Sequence, residues 1–112
     1  MNVNGILVST LSGILPTVPG KYDGTDDKYI VFDILDDRGA LYADDEPQID
    51  RVIVRVKLYV PVEFNYLSTK SQIRRALFRA GFTYPVIEEM TEDDYKCIIF
   101  ECSIDGASES EE

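Results

Sequence analysis

From Gln48 to Val60 the chain places Val52, Val54, Val56, Leu58 and Val60 at every second position, with Arg51, Ile53, Arg55, Lys57 and Tyr59 between them. Successive side chains of a strand point to opposite faces, so this alternation predicts a long strand with one face in a core and a mixed face outside it. A helix would scatter the five aliphatic residues around its circumference. The fold must therefore contain a sheet whose inner face something else covers.

Two amphipathic segments supply the cover. Val3, Ile6, Leu7, Leu11, Ile14 and Leu15 recur at spacings of three and four, which predicts a helix ending before Pro16. A second helix is expected from Asn65 to Ala80, with Ile73, Ala76, Leu77 and Ala80 as its buried stripe and Gly81 as its stop. Its wheel carries another row, Leu67, Ser71, Arg74 and Phe78, away from that stripe. Phe78 is a large apolar side chain on the wet side there, so this row is expected at a subunit contact.

The remaining strands follow from the same period. Ile30, Phe32 and Ile34 alternate with Tyr29, Val31 and Asp33 in a strand Lys28–Leu35, and Asp36-Asp37-Arg38-Gly39 reads as a turn. Ala40–Pro47 reads as an acidic loop. Val86–Met90 and Tyr95–Ile104 form two more strands joined at Thr91–Asp94, with Ile98, Phe100, Cys102 and Ile104 facing inward. Short separations favour antiparallel pairing. The expected fold is thus α+β: a small antiparallel four-stranded sheet with two helices on one face, in the order α-β-β-α-β-β. Residues 1–105 are expected to form one domain, and 106–112 a small, acidic, disordered tail. The open face would carry Val31, Ile49, Ile53, Tyr59, Tyr95 and Ile99, enough apolar surface to call for a second subunit or a covering loop.

At 112 residues the chain can withdraw roughly two thirds of its unfolded surface from water, and 45% hydrophobic residues are enough to build that core. No stretch approaches the ~20 apolar residues of a membrane span, and Met1–Leu15 lacks the pattern of a secretory signal, so a cytosolic place of synthesis is expected. Cys97 and Cys102 stand five apart in one strand, on opposite faces, and cannot pair with each other within it.

Charge narrows the function further. The net charge is -10, yet seven of the 11 basic residues (Arg51, Arg55, Lys57, Lys70, Arg74, Arg75 and Arg79) lie between positions 51 and 79, where Glu63 is the only acid. An acidic chain is repelled by nucleic acid at long range. A surface of two signs can steer copies together, the basic group meeting Asp44, Asp45 and Glu46 of a neighbour. The chain has no histidine and no glycine-rich phosphate loop. Nucleophile–base pairs and nucleotide sites therefore have no support, and no catalytic, metal-binding or cofactor-binding residue is nominated. The acids at 44–46 lack the spacing of a calcium loop and read as solvated.

Several phrases in order carry a resemblance: Leu41–Pro47 (LYADDEP), the strand ending Leu58-Tyr59-Val60-Pro61, the helix end Ala76–Thr83 (ALFRAGFT) with its continuation to Pro85, and Cys97–Ser103 (CIIFECS). Over about Val3 to Ile104 the chain resembles a family of small tail components of long-tailed phages and prophages. The resemblance implies a tail terminator or tail-completion protein, a structural part without catalytic residues. Such a part forms a ring at the end of the tail tube and joins it to the head connector, with DNA passing through. Its implied partners are further copies of itself, the tail tube protein and the connector, and its implied location is the host cytoplasm during assembly and then the virion tail. A head-closure or neck protein, or a small protein-binding module acting as monomer or dimer, are the other readings. The expected subunit contact combines Leu67, Arg74 and Phe78 with Arg55, Lys57, Tyr59, Asp44, Asp45 and Glu46.

Overall fold

The computed structural model describes residues 1–108. It has a mixed α+β fold: α1 (Val3–Leu11), β1 (Thr17–Pro19), β2 (Tyr29–Ala43), β3 (Glu46–Pro61), α2 (Leu67–Arg79), β4 (Val86–Glu92) and β5 (Tyr95–Ala107). The five strands form one sheet in the order β1-β2-β3-β5-β4. Two expectations are corrected by this sheet. It has five strands, and β1 pairs with β2 in parallel, Thr17 opposite Ile30 and Pro19 opposite Phe32. The chain just past Pro16, given no element by the sequence pattern, adds an edge strand, a place where the missing N–H of Pro19 does no harm.

The helices differ in how closely they follow the pattern. α2 spans nearly its expected range, buries Ile73 and Leu77, and is followed by Gly81 at φ +107°. α1 stops at Leu11, four residues short of the expected end, where Ser12-Gly13 weaken helical propensity. Ile14 and Leu15 then turn back, their N–H groups donating to the Leu11 carbonyl, and still pack against the core. At its start, Asn2 Oδ1 accepts from Gly5 N at 3.0 Å.

The core lies between the helices and one face of the sheet. Val54, Val56, Leu58, Val60, Ile98 and Phe100 are sealed against Leu7, Leu11, Ile73 and Leu77, with Ile30, Phe32 and Phe82 completing the layer. Each fully buried aliphatic or aromatic side chain contributes about 1.5–3 kcal/mol relative to exposure, so the inner row of β3 is the main anchor of the domain.

The largest departure from expectation is the β2–β3 hairpin. Asp36–Gly39 is not a turn and Ala40–Pro47 is not an irregular loop: β2 runs through both, and the chain reverses only at Asp44-Asp45. Both of these residues have positive φ, 54° and 64°, the geometry of a two-residue hairpin turn that matches strand twist. The register slips between Ile34 and Asp36 and again around Gly39–Tyr42. These bulges let a polar run stay paired while interrupting its alternation. The hairpin makes the molecule long, 54 × 25 × 23 Å. β5 also reaches beyond the expected boundary at 105, pairing Gly106 with Asp50 and Ala107 with Ile49. The rest of the expected tail, 109–112, lies outside the described residues.

Candidate subunit interface

Helix α2 presents the expected second row. Leu67 and Phe78 are 59% and 56% exposed, whereas Arg74 is half-buried. The Arg74 guanidinium sits 4.2 Å from the centre of the Tyr84 ring and donates to the Pro85 carbonyl at 3.1 Å. Phe78 meets the same tyrosine edge-on at 5.7 Å. Arg74 is thus a clasp between α2 and the segment leading into β4, and Phe78 and Tyr84 form an exposed apolar pair beside it, while the exposed Val86 lies on the outer face of the edge strand.

Further exposed apolar side chains are spread along the hairpin arm. Ile34 and Leu35 at the first bulge, and Leu41 and Tyr42 near the tip, are all exposed, the last two by 54% and 60%. Asp44, Asp45 and Glu46 form the tip itself, so the acidic phrase is a turn at the far end of an arm. The patch on α2 and the arm are unlike in shape and composition.

The outer face of the sheet is closed more by its own contacts than expected. Arg51 Nε and Nη2 donate to the two carboxylate oxygens of Asp105 at 2.9 and 3.0 Å, Arg55 donates to Glu101 at 3.1 Å, and Lys57 lies 4.0 Å from Asp33. On the helix side of the sheet, Lys70 bonds Glu89 at 2.7 Å. Four of the basic residues expected to meet a neighbouring subunit's acids thus already have a carboxylate beside them in their own chain, Arg51 and Arg55 across the strands because the register pairs them with Asp105 and Glu101.

Tyrosines cover the end of this face near Pro61. Tyr22, from the loop before β2, stacks on Tyr29 at 4.3 Å, and Tyr29 stacks on Tyr59 at 5.2 Å. The loop thus covers the Tyr29 end of the face expected to need a second subunit or a loop. Val31 is buried, and Ile49, Ile53 and Ile99 are half-buried. Burial, followed by the neighbouring Cys97, pushes the Tyr59 phenol up to about 12. Burial also raises Tyr29 and the Cys97 thiol, and lifts Cys102 on the inner face to about 12.

Tyr29, Tyr59, Tyr95 and Cys97 line a recess of roughly 280 Å3 whose rim holds Glu92 and Asp93. The sequence pattern missed this group. All three tyrosines were visible as outward-facing strand residues, but only the register, Tyr29 opposite Tyr59 and Tyr59 opposite Cys97, brings them together.

Among the described residues no group of three or more His, Cys, Asp or Glu is placed to hold a metal ion, and no helix is long and apolar enough to cross a membrane. No family model and no curated protein matches the chain. Twenty solved chains do match in structure. One of them, a protein whose own name states no function, superposes with a TM-score of 0.63 at 12% identity, over 98% of this chain and 96% of the other. That likeness extends to the fold, an α+β domain of two helices on a sheet.

Proposed function

We propose that this chain is a structural subunit that assembles head to tail into a ring at the end of a phage tail tube, as a tail terminator or tail-completion protein. The observation that carries the reading is that large apolar side chains are left exposed at two unlike places on one small domain, along the arm at Ile34, Leu35, Leu41 and Tyr42 and on the helix α2 side at Leu67, Phe78 and Tyr84. A two-fold dimer pairs like with like, whereas two unlike surfaces complement each other between successive copies, which closes a ring when the rotation permits. The phrases shared with the tail family supply the place of that ring, with the tail tube on one side, the head connector on the other and DNA passing through. The role requires no chemistry of the chain beyond binding.

The test is electron microscopy of tail tubes incubated with the purified protein, beside the protein alone. Rings capping one end of each tube are the expected result. A protein that binds connectors and leaves tube ends bare would be a neck component, and one that binds neither would be a protein-binding module outside the virion.

A further inference from the structure

Eight of the 11 basic residues lie within 4.0 Å of a carboxylate in the same chain. The other three, Arg74, Arg75 and Arg79, all belong to α2. Arg74 is held over Tyr84, which leaves Arg75 and Arg79 exposed and without a carboxylate among the described residues. The tyrosine recess has the opposite character. Its rim carboxylates, Glu92 and Asp93, have no basic partner among the described residues, and the nearby Lys57 is turned to Asp33.

We infer that the recess of Tyr29, Tyr59 and Tyr95 rimmed by Glu92 and Asp93 receives an α2 arginine, Arg75 or Arg79, of the next copy of this chain. An arginine fits such a site better than a lysine: its planar guanidinium lies flat on Tyr95, the one of the three rings not stacked within the described residues, while its N–H groups reach carboxylates at the rim. The fold already uses this chemistry within itself, with Arg74 over Tyr84 and Lys96 over Tyr66.

Placement dictates how such a contact propagates. The recess lies at the β4–β5 turn, where Tyr95 pairs with the last residue of β3. α2 ends at the other end of the sheet, where Thr83 N donates to the Ser103 carbonyl. Tyr95 and Ser103 are separated by about 27 Å of strand. Recess and arginines also lie on opposite faces of the sheet, because α2 covers the inner one. Donor and acceptor on opposite faces and ends make the contact heterologous, so each copy offers one of each to different neighbours. The inference rests on the ring reading and gives it a specific contact.

Sedimentation velocity of the full chain at low salt tests it without any other tail protein. Wild type is expected to form species larger than a dimer at millimolar concentration. Arg75→Glu/Arg79→Glu and Glu92→Lys/Asp93→Asn should each weaken association at least about tenfold, since both remove an attraction repeated at every contact. Asparagine is chosen at 93 because Asp93 has φ 54°. An equimolar mixture of the two variants should form one-to-one pairs and go no further, because the arginines kept by one meet the recess kept by the other and both outer ends are blocked. Circular dichroism checks that both are folded, and Tyr95→Ala, which changes no charge, gives an independent loss. Variants that associate as wild type does would overturn this contact and leave the ring reading standing. A wild type that stops at a two-fold dimer would overturn both. A wild type that stays monomeric would also overturn the contact, while capping of tube ends would still decide the ring.

Discussion

The two rows of β3 alternate along one stretch of chain, yet different physics holds each. The inner row, Val52 to Val60, is aliphatic and sealed by two helices. The outer row, Arg51 to Tyr59, is held by cross-strand ion pairs and stacked rings that stay half in water. Past Val52 the contrast becomes spatial, since the arm continues β2 and β3 away from the fully buried core and leaves Leu41 and Tyr42 in solvent. Burial of apolar area is worth far more per residue than an exposed ion pair. The inner row therefore secures the fold, and the outer row and arm are free to carry recognition.

If the inner row anchors the domain, stability must follow burial. Phe100→Ala removes a fully buried ring beside Val56 and should cost about 3–5 kcal/mol, a large share of what a domain of this size has. Urea unfolding followed by circular dichroism reads it. A loss below about 1 kcal/mol would mean that the inner row is not the anchor.

Phe78→Asp probes the opposite case, an apolar residue outside the core. Losing its edge contact with Tyr84 should lower stability by no more than about 1 kcal/mol. Association should fall by several kcal/mol if the side chain is covered by a neighbour, because the new carboxylate would be buried unpaired. Global unfolding of the variant would mean that Phe78 is held in the core.

Glu89 stands between the two regimes, on the helix side of edge strand β4. The hydrogen bond from Lys70, then that from Tyr66, holds its carboxyl down at about 2. A depressed carboxylate adds stability above its unfolded value of about 4.3, and that stability fades as pH falls from there toward 2. Glu89→Gln should then cost about 1 kcal/mol at neutral pH, less than the shift alone implies because the group is partly solvated, and nothing below pH ~2. Unfolding curves of both proteins between pH 7 and 2 should converge. A gap independent of pH would assign the loss to packing.

How far the sequence disclosed the molecule follows the same division. Where one face is buried, period 2 or 3.6 survives in the residues, so the inner strand rows and the Ile73–Leu77 stripe were legible. The arm was not, because with both faces wet no alternation is enforced, and Asp36-Asp37-Arg38-Gly39 has turn composition although it is paired along β3. β1 escaped because Pro16, Pro19 and Gly20 carry a breaker's signature around three residues of strand. At the candidate interface, exposure of Leu67 and Phe78 could be deduced from the helical wheel. The partners of Arg51, Arg55 and Arg74 could not, since they depend on strand register and on the path from Gly81 to Val86.

The smallest expected effect lies at the arm's tip, where fold and recognition separate most cleanly. Asp44 and Asp45 both adopt positive φ, which aspartate tolerates and which asparagine and glycine favour. Asp44→Asn with Asp45→Gly should therefore raise stability by about 0.5–1 kcal/mol while removing two charges from the tip. Thermal unfolding reads the first consequence and sedimentation at low salt the second. A more stable protein that associates less well would make the acids a recognition element kept at a small cost to the turn. A more stable protein with unchanged association would leave them as solvated turn residues, and the arm would then act through Leu41 and Tyr42 alone.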